Sequence, residues 1–232
     1  MSTIKDGLMR ILEQIRAAEQ AAGRPSGSVR LCAVSKFHAA EAVRQAMDAG
    51  QLLFGENRVQ EARQKFESVQ GAELHIIGQL QRNKVRDAVR VASCVQSVDR
   101  LPLLEEIERQ CERFGRRTDI LFEVRTGEDT KAGYTDMGAL RQSVEAMCAG
   151  QFPHITPRGF MTMAPLTGDE RAIRRAFASV RELSERYRAE FPRLPLTELS
   201  MGMSGDFRLA IAEGSTMVRI GTAIFGERDY GV

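Results

Sequence analysis

Residues 31–54 read LCAVSKFHAAEAVRQAMDAGQLLF. Leu31–Val34 is an apolar run of strand length. Ala39–Asp48 carries helical spacing and stops at Gly50, and Leu52–Phe54 is apolar and strand-like again. A strand, a helix and a strand in that order form the unit from which parallel sheets are built. Toward the N-terminus, Leu8, Ile11, Leu12 and Ile15 recur at helical spacing and predict a helix that ends near Gly23-Arg-Pro25. Toward the C-terminus the alternation continues. The predicted strands are Leu74–Ile77, Cys94–Val98, Asp119–Val124, Arg158–Phe160, Glu198–Leu199 and Met217–Ile220. The predicted helices include Asn57–Val69, Asn83–Val91, Thr135–Ala149 and Asp206–Glu213. Two more show clear stripes: Leu104, Ile107, Cys111 and Phe114 in one, and Ile173, Phe177, Val180, Leu183 and Tyr187 in the longest. Eight such units behind an extra N-terminal helix predict a single α/β domain over 1–232, a (β/α)8 or TIM barrel. A doubly wound open sheet is the alternative, because short apolar runs are easily miscounted. Pro153, Pro157, Pro165, Pro192 and Pro195 read as loop punctuation and not as a domain boundary.

The 232 residues are 43% hydrophobic and 28% charged, enough apolar material for a sizeable core. Lys plus Arg is 33 and Asp plus Glu is 31, a net charge of +2 that gives no footprint for nucleic acid or an anionic membrane. No run approaches the ~18 apolar residues of a membrane helix, and the N-terminus lacks the apolar core of a signal peptide. Cys32, Cys94, Cys111 and Cys148 form no C-x-x-C pair, and Cys32 and Cys94 sit in apolar strands as buried thiols do. The expected compartment is the reducing cytoplasm.

A barrel of this kind carries its site at the C-terminal ends of the strands. The segments after strands seven and eight, Ser200–Gly205 and Gly221–Ala223, are rich in Gly and small hydroxyl residues and lead into helix starts. That is the usual phosphate position of the fold, although ordinary tight turns share the composition. Lysine is scarce: Lys5, Lys36, Lys65, Lys84 and Lys131. Lys5 and Lys65 fall on polar helical faces and read as solvated surface, while Lys84 and Lys131 fall in loops after strands. Lys36 directly follows a buried strand, where desolvation would free its amine to form a Schiff base; a snorkelling strand-end lysine is the alternative. Arg219 interrupts the apolar strand Met217–Ile220 on the face shared with Met217, and it points either into the barrel or out between helices. His75 reads as a satisfied core histidine. His38 and His154 have no partners at metal-ligand spacing, so no metal is expected. A Schiff-base lysine with a phosphate cradle suggests a phosphorylated aldehyde, either a phosphosugar or pyridoxal 5′-phosphate.

The motifs Ala33-Val-Ser-Lys36, Phe54-Gly-Glu-Asn57 with Gln60-Glu61, Ile77-Gly-Gln-Leu-Gln81 with Asn83-Lys84, and Ser97-Val-Asp99 occur in order. Glu128-x-x-Lys131-x-Gly133, Leu199-Ser-Met-Gly-Met-Ser204-x-Asp-Phe207 and Val218-Arg-Ile-Gly-Thr222-x-Ile-Phe-Gly226 follow. Together they resemble the pyridoxal phosphate homeostasis protein family, also called YggS/PROSC, over nearly the whole chain. The resemblance implies a barrel like the N-terminal domain of alanine racemase, with pyridoxal 5′-phosphate held as an aldimine on Lys36. It implies a phosphate site from Ser204, Gly221 and Thr222, and Arg219 facing the pyridine nitrogen, hence inward. Asn57 is placed near the cofactor. The implied role is to buffer and deliver the cofactor to apo-enzymes, affecting vitamin B6 and amino-acid pools, without robust catalysis. Arg58, Leu74 and Arg125 stand where the family usually has other residues, leaving the cofactor motifs intact and the details of the pocket rim and of any partner surface open. A low-activity racemase is the alternative; it needs a second acid or base opposite Lys36, for which Tyr134 and His38 are the candidates. A monomer is expected, because the racemase dimer uses a β domain for which the chain after its last strand is too short.

Overall fold

The computed structural model describes residues 3–128 and 132–226. Its strands are β1 (Arg30–Val34), β2 (Leu53–Glu56), β3 (Glu73–Ile76), β4 (Cys94–Val98), β5 (Thr118–Glu123), β6 (Ile155–Met161), β7 (Glu198–Ser200) and β8 (Met217–Ile220). They pair in parallel in sequence order, and β8 closes onto β1 with Cys32 beside Arg219. The barrel is therefore the predicted architecture, and the open sheet is excluded.

The helices are α1 (Ile4–Ala21), α2 (Ala40–Asp48), α3 (Val59–Phe66), α4 (Val85–Val91), α5 (Leu101–Phe114), α6 (Met137–Cys148), α7 (Glu170–Glu190), α8 (Phe207–Ala212) and α9 (Thr222–Phe225). The last is a single turn, too short to cover the β8–β1 seam. Helix α1 covers it instead, packing on α9, α8 and α2. Its Thr3 hydroxyl accepts from the Asp6 amide at 3.1 Å, and the Asp6 carboxylate accepts from the Thr3 amide at 2.9 Å. This reciprocal cap starts the helix where the sequence offers it. Alternation along β8 sends Val218 and Ile220 outward into one cluster with Leu8, Ile11 and Ile15. Met217 and Arg219 point into the barrel.

Two details differ from expectation. Pro157 lies inside β6, not in a loop. The pairing of β5 with β6 slips between Ile120 and Leu121, so Arg158 is extra and the ladder is already interrupted where proline lacks its N–H. The helix expected from Asn57 begins at Val59, which leaves Asn57 in the segment above β2.

The cysteines are free thiols: Cys32, Cys94 and Cys111 buried, Cys148 half-buried. Burial pushes Cys32 up to about 12 and Cys94 well above the ordinary range, so both are inert packing groups. Among the described residues no helix is long and apolar enough to cross a membrane.

Candidate functional site

A cavity of about 340 Å³ opens over the C-terminal ends of the strands. Lys36, Asn57, Ser204, Arg219, Gly221 and Thr222 all line it, so closure of the barrel gathers every site residue expected from the sequence. They come from the ends of β1, β2, β7 and β8, far apart along the chain.

Arg219 points inward and is 5% exposed. Its Nη1 donates to the Ser200 carbonyl at 2.6 Å and the Ser200 hydroxyl at 2.8 Å, and its Nη2 donates to the Thr162 carbonyl at 2.8 Å. A guanidinium has five N–H donors. Among the described residues the remaining two, on Nε and Nη2, have no partner and are available to the cavity. No carboxylate of the described residues lies in salt-bridge contact with it. Burial lowers its pKa, and Glu123 and Asp206 act against that from a distance.

The two Gly-rich loops also line the cavity. In the first, the Asp206 carboxylate accepts from the Met203 amide at 2.6 Å and closes a tight turn. The amides of Ser204, Gly205, Thr222 and Ala223 have no acceptor among the described residues. Four unsatisfied N–H groups and two hydroxyls on adjacent loops suit an anion of phosphate size.

Lys36 stands on clamped backbone. The residue after it, Phe37, has φ 67°, a left-handed conformation that costs a non-glycine residue roughly 1–2 kcal/mol. Four polar side chains compensate. The Glu61 carboxylate accepts from the Phe37 amide at 2.5 Å, and Lys65 Nζ donates to the Ser35 carbonyl at 2.7 Å. The Ser35 hydroxyl and Lys65 Nζ both donate to Glu56 Oε1, at 2.7 and 2.6 Å. Lys65 is therefore buried at 7% exposure, not solvated surface. Spacing along α3 places it on a polar face, but that face turns in beneath the Lys36 segment. Burial holds the Glu56 carboxyl above the usual carboxylate range, against the attraction of Lys65.

Glu123, at the end of β5, also lines the cavity and is not among the residues expected there from the sequence. It is 3% exposed, and its Oε2 has no hydrogen-bond partner among the described residues. Burial raises its pKa to about 7, while Arg219 pulls it down and Asp99 adds to the rise. A lone charge in an apolar strand singled out Arg219, and the same signal was present in Leu121-Phe-Glu-Val124.

Of the two candidate second bases, His38 lines the cavity and packs on Phe225, with 5.2 Å between ring centroids. Tyr134 does not. It is 3% exposed, hydrogen-bonds Ser143 at 2.8 Å, and has its phenol pushed up to about 12 by burial. Lys84 lies in a single 3-10 turn, Arg82–Lys84, away from the cavity lining, and Lys131 falls outside the described residues.

The profile of the alanine racemase N-terminal domain family matches residues 8–229. A pyridoxal phosphate homeostasis protein of Pseudomonas aeruginosa is 41% identical over 236 residues, covering 100% of this chain and 98% of that one. The structure of PipY from Synechococcus elongatus with PLP bound superposes with a TM-score of 0.79 at 39% identity, covering 91% of this chain and 98% of PipY. The crystal structure of an unknown protein from Bifidobacterium adolescentis superposes with a TM-score of 0.88 at 37% identity, covering 95% of this chain and 94% of that one. Similarity at this level, sustained from end to end, establishes that the chain belongs to the pyridoxal phosphate homeostasis protein family.

Proposed function

We propose that this chain binds pyridoxal 5′-phosphate in the cavity above the strands, holds it through Lys36, and buffers and delivers it to apo-enzymes. One observation carries the reading: an amine, a buried guanidinium with two uncommitted donors and two loops of unpaired amides converge on one cavity. They match the three polar features of the cofactor, its aldehyde, ring nitrogen and phosphate. When bound, the cofactor supplies an aldehyde that an amine can capture. Lys36 offers that amine on backbone already held in place. Arg219 offers N–H donors to the ring nitrogen, and the loops of Ser204, Gly221 and Thr222 offer amides and hydroxyls to the phosphate. Asn57 stands at the rim.

A cation beside the ring nitrogen disfavours its protonation and weakens the ring as an electron sink. That suits storage and delivery better than turnover. The low-activity racemase reading retains one supporting observation, His38 on the cavity wall, and interconversion of D- and L-alanine tests it. Four free thiols fit a cytoplasmic location, and we propose that the protein acts there as a monomer.

Borohydride reduction of the cofactor-loaded protein, followed by peptide mapping, places a pyridoxyl group on Lys36. An adduct on Lys84 or Lys131 alone overturns the assignment. Gly78→Ala tests the rim. A Cβ at Gly78 would stand 2.4 Å from the Asn57 carbonyl oxygen and 2.8 Å from its Cα, so the loop above β2 must move. The expected result is cofactor affinity lower by about tenfold, or ~1.4 kcal/mol, measured by titration of the apo-protein. An unchanged affinity means that the rim takes no part in binding.

A further inference from the structure

The interior of the barrel holds a row of polar side chains that the cavity alone does not explain. Ser200 Oγ accepts from Arg219 Nη1 at 2.8 Å, so its own proton points to Gln96 Oε1, 2.6 Å away. That orients the Gln96 amide, whose Nε2 then donates to His75 Nδ1 at 2.7 Å and lies 3.2 Å from Met217 Sδ. With Nδ1 accepting, His75 carries its proton on Nε2 and donates it to Glu73 Oε1 at 2.9 Å. Arg30 Nη2 holds Glu73 from the other side at 2.7 Å. The row runs from β8 through β7 and β4 to β3, and every donor points the same way. It starts at the cavity floor and ends at the opposite mouth of the barrel.

We propose that His75 and Gln96 are positioning residues for Arg219, fixing through Ser200 the guanidinium that meets the ring nitrogen of the cofactor. The inference rests on the binding reading above. Ser200, Gln96 and His75 are all buried, and each hydrogen bond leaves one arrangement of protons for the next. Water does not screen such a row, so the orientation at one end is tied to the other. Together with the Ser200 and Thr162 carbonyls, the tie holds Arg219 in one direction with no contacting carboxylate among the described residues, which would neutralise the cation beside the ring nitrogen.

Turning the Gln96 amide over would reverse the row, with Nε2 facing Ser200 Oγ, which already accepts from Arg219, and Oε1 facing His75 Nδ1. The charged groups around His75 are Glu73 on β3, Arg30 on β1, Asp119 on β5, Arg158 on β6 and Glu198 on β7. They pair as Arg30–Glu73, Arg30–Glu198, Arg158–Asp119 and Arg158–Glu198 at the mouth below it. Cys32 and Cys94 are the nearby thiols, both held neutral by burial.

The test is a double-mutant cycle between Gln96→Met and Arg219→Met in the full chain. It reads pyridoxal 5′-phosphate affinity and the pH midpoint of the visible band of the bound cofactor. Gln96→Met alone is expected to weaken binding about tenfold and to move the midpoint. In the Arg219→Met background it is expected to do neither. Effects that multiply in the double variant overturn the proposal, as does a folded Gln96→Met protein with wild-type affinity and midpoint. If Gln96→Met does not fold, Glu73→Gln at the open end reads the same row, and an unmoved midpoint in that variant overturns it. Loss of the Lys36 adduct from wild-type protein is a separate result, because it removes the binding reading and not only this inference.

Discussion

Lys65→Met is expected to lower the unfolding free energy by about 3–5 kcal/mol at pH 8, the loss that follows when one partner of a buried ion pair is removed. The Lys65 side chain is 5% exposed and that of Glu56 is 0% exposed, so water offers little substitute. The variant strands Glu56 Oε1 with the Ser35 hydroxyl alone, while Glu56 Oε2 already has no partner. It also removes one of the two donors to the Ser35 carbonyl next to Lys36, leaving the His38 amide. In a chain of this size the loss corresponds to roughly 10 °C in melting temperature. The deficit has a defined pH dependence. Without Lys65 the Glu56 carboxyl rises further, and the folded state then binds a proton that the unfolded state releases above its ordinary carboxylate value. The deficit is therefore largest at pH 8 and shrinks at pH 5. Thermal unfolding followed by circular dichroism at both values decides it. A melting temperature within 2 °C of wild type at pH 8 would show that the pair contributes little. Lys65→Met combined with Glu56→Gln should recover part of the loss, because the stranded charge is gone.

Glu123→Gln is expected to stabilise the cofactor-free protein at pH 8 and to leave it unchanged at pH 4. Burial raises Glu123 to about 7 from 4.5, so the folded state binds its proton more tightly than the unfolded chain does. The stability tied to this group is therefore fully present below about 4.5, falls as the pH rises, and is gone above about 7. Glutamine keeps the shape of the neutral acid without the charge. The gap corresponds to about 3 kcal/mol at most, or roughly 5–10 °C of melting temperature. Equal melting temperatures of variant and wild type at pH 8 would mean that Glu123 remains ionised at no cost beside Arg219. The site thus carries its own strain before any ligand arrives, as binding cavities with buried polar groups commonly do.

Much of this was readable in the chain. The order and type of all eight strands follow from local periodicity, and the six expected binding residues follow from their places after strands and within motifs. What escaped was the partnership of side chains distant in sequence. Glu61 and Lys65 stand four apart on α3 and look like a surface pair. Burial of Lys65 became visible when the barrel brought Ser35 and Glu56 against that face. His75 is a satisfied core residue, as its place in an apolar strand suggests, and Glu73 reaches it from two residues away on β3, but its contact with Gln96, 21 residues away, and the link from Gln96 to Ser200, 104 residues away, depend on separate strands closing into one interior.

By itself the sequence determined the alternation of elements, the shared face of Met217 and Arg219, and the placement of a lysine and two Gly-rich loops at strand ends. These depend on neighbours within a few residues, where the periods of helix and strand are set by backbone geometry. Tertiary structure alone decided which polar groups are buried, which of them meet, and that Glu123 joins the site. Those outcomes depend on barrel closure and strand register, which place residues from every part of the chain within hydrogen-bonding distance and remove the water that would otherwise separate them.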